Sequence, residues 1–412
     1  MSADTATASR AAVPASAAAS WRTAAPAIAL MAWGGNHFTP LLLLYRSAEG
    51  YSALQVDLLL AFYIVGLVPG FLLAGPLSDR HGRKRLIAVG LPLGILGSVV
   101  LGLGAGTILW LCVGRLISGV SVAIAMVVGT SWIKELSSAP FDAAADAATG
   151  ARRASLTLTA GFGLGAGVSG VLAQWGPAPT LLPYAVQIAL SLVAALVLVR
   201  TPETRRFDGR MRSLLGDLRI PRAGRRRFVG LVLPMAPWVF SAAALSYAIT
   251  PTLVANRVGS DGIAFATLLT VVTLGCGAGI QPFAARIGRR TGGRQVLVGL
   301  GLALVGTALC ALEAVLISPA LAIVVGAVLG LSYGICLVSG LVEVQRMSGP
   351  DDLAGVTGVY YSLTYVGFLL PVVLAALTAL TSYAVLLLGV TAVCLCCGLI
   401  VARTLRRLGP LA

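Results

Sequence analysis

The chain has 412 residues, 58% hydrophobic and 11% charged, with a formal net charge of +15 and a mean hydropathy of +0.92. Apolar run after apolar run reaches the roughly 18–20 residues that cross a hydrocarbon core, which a soluble fold does not need. A soluble enzyme and a nucleic-acid-binding domain are both excluded, because the basic residues have no folded aqueous face long enough to share.

Residues 1–22 are Ala/Ser-rich and lack an apolar h-region, so they read as a disordered cytoplasmic tail rather than a cleaved signal peptide. Twelve predicted spans follow, at about 24–46, 55–78, 86–105, 107–134, 154–176, 180–199, 228–254, 262–285, 295–316, 318–345, 354–377 and 380–402. Short Gly or Ser-Pro turns near 105 and 317 separate adjacent runs, and even parity rests on both. With the N-terminus inside, all but three of the 30 Lys and Arg residues fall in cytoplasmic segments: Arg46 and Arg257 lie outside and Arg115 within a span. The positive-inside rule therefore places both termini in the cytoplasm. The excess positive charge is orientation and contact with anionic lipids, not a nucleic-acid footprint.

Span 1 reads MAWGGNHFTPLLLLY (31–45) and holds His37, the one His inside a span. A His titrates near neutral pH and is a candidate proton carrier; a buried structural His is the alternative. After span 2 comes GPLSDRHGRKR (75–85), a basic loop with one Asp between two apolar runs. Gly66, nine residues upstream of Gly75, precedes Asp79, Arg80, Gly82, Arg83, Lys84 and Arg85. Orientation explains the basic residues. It does not explain the Gly spacing or the acid.

That pattern resembles the signature loop of the major facilitator superfamily, and span number, loop placement and duplication extend the resemblance over the whole chain. The resemblance implies twelve helices, transport by alternating access, and a loop that acts as a latch on one conformational state. In span 4, GRLISGV (114–120) is similar to a family pattern of an intramembrane Arg, here Arg115, followed by Gly119. An ionised Arg inside a span is expensive and is a functional hypothesis by default, with snorkelling to the outer interface as the alternative. In span 5, GFGLGAGVSG (161–170) resembles the Gly-rich stretch of the drug/proton antiporter branch, with Ala166 where that branch has Pro. Gly161 with Gly165 and Gly163 with Gly167 are expected to allow close helix packing.

Residues 200–227 carry ten Arg, three acids, two Pro and three Gly. They form the one long hydrophilic interruption, with six predicted spans on either side. GVSVAIAMVVG from Gly119 aligns with GLSYGICLVSG from Gly330 at a constant offset of 211, matching Ser121 with Ser332. GPLSDRHGRKR has a degraded echo in QPFAARIGRRT, where Ala285 stands in place of Asp79. The expected architecture is an all-α membrane protein of two pseudo-symmetric six-helix bundles, 23–199 and 228–403, joined by the basic linker 200–227 and ending in a cytoplasmic tail, 404–412. Such duplications rock about a site near the midplane.

Asn36, His37 and Arg115 are expected to face one cavity, walled by Tyr63, Trp238, Tyr247, Tyr333, Tyr361 and Tyr365. Tyr361 and Tyr365 share a helix face. Such walls suit a moderately hydrophobic solute better than a sugar. Acids are few: Asp57 at the outer mouth of span 2, Glu313 near the outer end of span 9, and Glu343 beside Arg346. The seven Cys sit inside spans with no metal-ligand spacing, so neither metal nor cofactor is expected; an ion gradient, of protons, would drive transport. Arg outnumbers Lys 28 to 2, as in chains from GC-rich bacterial genomes, which sets the expected location as a bacterial inner membrane, and a monomer is expected. The expected function is export of a small amphiphilic compound such as a drug, an antibiotic or a pathway product. Uptake by the same fold is the alternative. A membrane enzyme or receptor would need a catalytic constellation or a large extramembrane domain, and the sequence shows no GxSxG, HExxH or Walker loop.

Overall fold

The computed structural model describes residues 20–145, 147–205, 220, 222, 224–347 and 353–408. Among these residues every regular element is helical. In hydrocarbon each backbone N–H and C=O must be satisfied within its own segment, which a helix does and an open strand does not.

The first half comprises α1 (Ser20–Asn36), α2 (Leu41–Ala48), α3 (Ala53–His81), α4 (Arg83–Leu103), α5 (Ile108–Ile124), α6 (Thr130–Leu136), α7 (Ala147–Trp175) and α8 (Leu182–Leu198). The second comprises α9 (Arg225–Arg227), α10 (Leu233–Ala244), α11 (Thr250–Val258), α12 (Gly262–Ile280), α13 (Ala284–Arg290), α14 (Gln295–Leu316), α15 (Pro319–Met347), α16 (Leu353–Tyr365), α17 (Leu370–Leu377) and α18 (Tyr383–Leu408). Helix α1 begins at Ser20, inside the stretch expected to be tail, and α18 takes in residues 404–408 of the other tail. Residues 1–19, 206–219 and 409–412, which hold most of the expected tails and linker, lie outside the described residues.

Nine helices among the described residues are long and apolar enough to cross a membrane, or ten if the bent α1–α2 pair is one span. The difference from the twelve predicted runs has two sources. Residues 225–290 count as one continuous stretch although a turn at 259–261 divides α11 from α12. Helix α8 has only 17 residues, about 26 Å of rise against a hydrocarbon core of about 30 Å.

The break between α1 and α2 has a local cause. Pro40 has no N–H to donate, and the chain bends by 42° across residues 37–40. The freed backbone groups are re-satisfied by short turns: the Thr39 N–H donates to the Asn36 carbonyl at 3.1 Å and the Leu41 N–H to the Phe38 carbonyl at 3.0 Å. Helix α3 opens with a capping box, Ser52 Oγ accepting from the Gln55 N–H and Gln55 Oε1 from the Ser52 N–H.

The sequence repeat recurs as repeated contacts. A Cβ on Gly119 would lie 2.2 Å from the Tyr63 carbonyl oxygen, and one on Gly330 2.4 Å from that of Thr273. Ser121 Oγ donates to the Gly90 carbonyl at 2.8 Å, and Ser332 Oγ to the Gly299 carbonyl at 2.9 Å. In both halves, then, the same residue types bring a helix onto the backbone of one neighbour and bond it to a second. Gly66 completes the first crossing, since its Cβ would meet the Leu116 carbonyl oxygen at 2.0 Å. The halves meet where α7 runs along α12 and α3 packs on α16 and α17.

Candidate functional site

At the junction of the halves Asn36, Tyr63, Phe162, Phe240, Tyr247, Leu274, Tyr333, Tyr365 and Phe368 enclose a cavity of about 20 Å³, room for about one water. The rings close on one another: Phe240 lies 4.0 Å from Tyr365 and 5.0 Å from Phe368, centroid to centroid. Tyr63 approaches Tyr365 across the junction at 6.3 Å, and the Tyr365 hydroxyl donates to Met126 Sδ at 3.2 Å. Two π-helical turns flank this cluster, Ala125–Gly129 and Leu245–Ile249; such turns displace side chains from regular helical positions and recur at functional sites.

Contacts between the halves lie on both sides of the cavity. Towards the His81 end of α3, Phe71 stacks on Tyr361 at 5.5 Å and meets Tyr365 at 5.2 Å, and a Cβ on Gly358 would be 2.9 Å from the Phe71 carbonyl oxygen. At the opposite end Arg46 Nη1 donates to Thr252 Oγ1 at 3.1 Å. There Gln174 Nε2 also donates to the Ser260 carbonyl, and its Oε1 accepts from the Ala264 N–H, both at 2.9 Å. Contacts between the halves thus bridge both ends of the junction.

Four of the six expected aromatics, Tyr63, Tyr247, Tyr333 and Tyr365, line the cavity. Trp238 and Tyr361 do not: Trp238 is buried in the hydrophobic core that both halves share, and Tyr361 faces Phe71 one helical turn away. Phe162, Phe240, Leu274 and Phe368 complete the wall without having been expected. Phe368 continues the 361–365 stripe by three residues, a signal legible in the sequence.

The expected grouping of Asn36, His37 and Arg115 on one aqueous space is corrected. Asn36 lines the cavity, whereas His37 is fully buried, edge-on to Tyr184 of α8 at 4.8 Å, with neither ring nitrogen hydrogen-bonded. Successive residues near a helix point about 100° apart, so the two cannot share a face. Arg115 is also buried rather than snorkelling. Its guanidinium carbon lies 4.1 Å from the Tyr63 ring centroid and 4.6 Å from that of Phe38, with long bonds of 3.4 Å to the Leu59 and Gly35 carbonyls. Arg115 thus backs the cavity wall through Tyr63, and no carboxylate among the described residues pairs with it. Asp57 is 7% exposed in the first turns of α3 and also forms no ion pair there.

The loop after α3 is a knot centred on Arg83. Its Nη2 lies 2.9 Å from Asp79 and 3.1 Å from Glu135 at the end of α6, and Nη1 donates to Ser78 Oγ. Glu203 caps α4, accepting from the Arg83 and Lys84 N–H groups at 2.9 and 3.0 Å. Gly82 has φ +98°, and a Cβ there would lie 2.3 Å from a Glu203 oxygen, so the position needs Gly twice over. Lys84 Nζ donates to the Val199 carbonyl and Arg205 approaches Asp79 at 3.6 Å. Arg80 and Arg85, with Glu203, border a recess of about 290 Å³ at this end of the helices. A Cβ on Gly75 would lie 3.5 Å from Val127 Cγ1, an ordinary contact. Glu135 and Glu203 were not singled out in the sequence, because each is distant in the chain from the loop it serves.

In α7 the two glycine pairs differ. Gly161 and Gly165 press on α1, their Cβ positions 2.2 Å from the Ala29 and 2.7 Å from the Trp33 carbonyl oxygens. Gly163 and Gly167 do not take part in such packing: nothing lies within 4 Å of a Cβ at Gly163, and Gly167 would meet only Val271 Cγ2 at 3.7 Å. Among the described residues no group of three or more His, Cys, Asp or Glu is arranged to hold a metal ion, and the cysteines are free.

The chain is similar in fold to a solved structure of the nucleoside transporter NupG, determined as a point mutant, with a TM-score of 0.70 at 14% sequence identity over 93% of this chain and 98% of that one. No curated protein matches it. The Major Facilitator Superfamily profile matches residues 24–371. With the repeated Gly and Ser contacts of its halves and the aromatic cavity between them, the chain is a multi-pass membrane protein and belongs to the Major Facilitator Superfamily.

Proposed function

We propose that the protein is a secondary active transporter that carries a small amphiphilic organic solute by alternating access, driven by a proton gradient and without a cofactor. The observation that carries this reading is the aromatic cavity shared by both halves and flanked on each side by contacts between them. A site walled from two halves opens when either set of contacts parts. On this reading twelve crossings form two six-helix bundles, with both termini on the cytoplasmic side of a bacterial inner membrane, anionic lipids along the basic face, and a monomeric assembly.

Export is the first reading of direction, on the Gly-rich stretch 161–170 and its resemblance to the drug/proton antiporter branch. Uptake is the second, favoured by the fold likeness to a nucleoside transporter, since stacked rings such as Phe240 and Phe368 suit a planar base equally well. Asp57 is the group proposed to take the proton. It is a buried acid without an ion pair among the described residues, and it lies in the electrostatic field of Arg46, which bridges to Thr252 of the other half. The test is flux of a panel of nucleosides and amphiphilic drugs in reconstituted vesicles, with a pH gradient imposed in either direction. Flux of at least one class, reversed in sign with the gradient and abolished by an uncoupler, is expected. Absence of gradient-dependent flux across the panel contradicts the reading.

A further inference from the structure

Between α7 and α12 an apolar groove of about 800 Å³ opens on the outer surface of the helices. It is not a by-product of loose packing. Within the same stretch the helices touch, where a Cβ on Gly170 would collide with Thr267 Oγ1 at 1.8 Å, Thr267 being itself part of the groove's lining. The groove exists because Gly163 and Gly275 put no side chain into it, and nothing lies within 4 Å of a Cβ at either position. Its outer rim carries Leu164, Val171 and Trp175, at 56%, 50% and 67% exposure, apolar surface of the kind a bilayer covers.

Leu274 belongs to the wall of this groove and to the wall of the central cavity at once. Beside it Phe162, the neighbour of Gly163, faces the cavity. The partition between bilayer and solute site therefore includes a residue whose side chain borders both. The cavity itself is ringed by aromatics and has one amide, Asn36, besides its Tyr hydroxyls. Chemically it continues the groove rather than the polar recess at the Arg46–Thr252 end, which Ser47, Asn256 and Ser260 also line.

We propose that this groove is a lateral portal, through which an apolar or amphiphilic solute dissolved in the bilayer exchanges with the aromatic cavity, Leu274 being its gate. The proposal rests on the transporter reading and deepens it: the substrate class becomes one that partitions into membranes. It commits to the solute as occupant, because a lipid chain resting in the groove would have no use for a wall shared with the cavity.

The experiment does not need turnover. In full-length protein with Cys276, Cys396 and Cys397 replaced by Ala, Phe162→Cys puts a thiol on the cavity wall; the protein is reconstituted in phosphatidylcholine vesicles. Two reagents are compared, the membrane-dissolved N-(1-pyrenyl)maleimide and the water-soluble, charged methanethiosulfonate ethyltrimethylammonium. The pyrene reagent is expected to label the thiol. Adding Gly163→Leu and Gly275→Leu, at positions where a Cβ meets nothing within 4 Å, should slow that labelling by about tenfold, while Leu274→Ala should speed it by about tenfold, about 1.4 kcal/mol of barrier in each case. Labelling by the charged reagent should follow neither change. Pyrene labelling that ignores the filled groove, labelling by the charged reagent alone, or no labelling by either would each overturn the portal. Because the readout is a thiol adduct, failure of the portal shows here, whereas failure of the transporter reading shows as absent flux in the solute panel with wild-type protein.

Discussion

Replacing Arg83 should damage the knot between α3 and α4 far more than replacing Asp79, although the acid is the residue that stands out in the sequence. The Arg83 side chain is 11% exposed and serves Asp79, Glu135 and Ser78 together. Asp79 is 39% exposed and its second partner, Arg205, stands off at 3.6 Å. An exposed pair of that kind contributes about 0.2–1 kcal/mol, so Asp79→Asn should cost less than about 1 kcal/mol. Arg83→Met loses that pair together with the bonds to Glu135 and Ser78 at once, each contributing about 0.5–1.5 kcal/mol net, and should cost about 2–3 kcal/mol. Glu203→Gln, which weakens the cap on α4, should fall between them at about 1 kcal/mol. The assay is the thermal unfolding midpoint of detergent-solubilised protein for the three variants at equal ionic strength. An Asp79→Asn variant as unstable as Arg83→Met would refute the assignment of Arg83 as the hub.

Asp57→Asn should abolish pH-gradient-driven flux while sparing solute exchange without a gradient; undiminished driven flux would return the coupling role to His37, to be read with His37→Gln. Arg115→Lys should lower flux by about tenfold, because a compact ammonium cannot lie flat over Tyr63 and Phe38 while reaching the Gly35 and Leu59 carbonyls; wild-type flux in vesicles would contradict this. Gly66→Ala and Gly119→Ala should each cost about 1–3 kcal/mol or more by overpacking, since the new methyl meets a backbone oxygen at 2.0 and 2.2 Å. Gly301→Ala, with nothing within 4 Å, should be neutral or gain up to about 1 kcal/mol, all three read as unfolding midpoints. The hydrogen bond from Arg153 at 2.7 Å holds the Asp142 carboxyl below the usual carboxylate range. The contribution of that pair should be complete above about pH 4, the ordinary carboxylate value, and be lost as pH falls through the depressed one. Pepsin cleavage within residues 137–145 should therefore appear only below about pH 4, and cleavage already at pH 5 would contradict it.

Much of the fold was legible because hydrocarbon leaves the backbone one solution and writes it as long apolar runs. The duplication was legible too: Ser121 and Ser332, matched by offset alone, make the same bond to a neighbouring helix carbonyl. The cavity was half legible. A tyrosine at 365 announces an aromatic face, but whether Tyr361 or Phe368 joins it depends on where a helix meets its partner, a fact of tertiary packing. His37 misled for a reason in covalent geometry: adjacent residues at a broken helix point in different directions, and only one of Asn36 and His37 could reach the cavity. Glu135 and Glu203 were invisible for another reason, their sequence distance from the loop they complete. The glycines of α7 show the limit most plainly, because the same small-xxx-small spacing packs a helix at 161 and 165 and opens a groove at 163 and 167.

Alternating access about the aromatic cavity is tested most directly by two pairs of spin labels read by pulsed electron resonance in vesicles. One pair, Ser47→Cys with Ala255→Cys, spans the Arg46–Thr252 end; the other, His81→Cys with Arg346→Cys, spans the Arg83 end; both are made in a background free of the native cysteines. Each pair should give two distances, and on imposing or reversing a pH gradient the populations should shift in opposite directions, one end closing as the other opens. A single unchanging distance at both ends, or two ends that open and close together, would contradict the account.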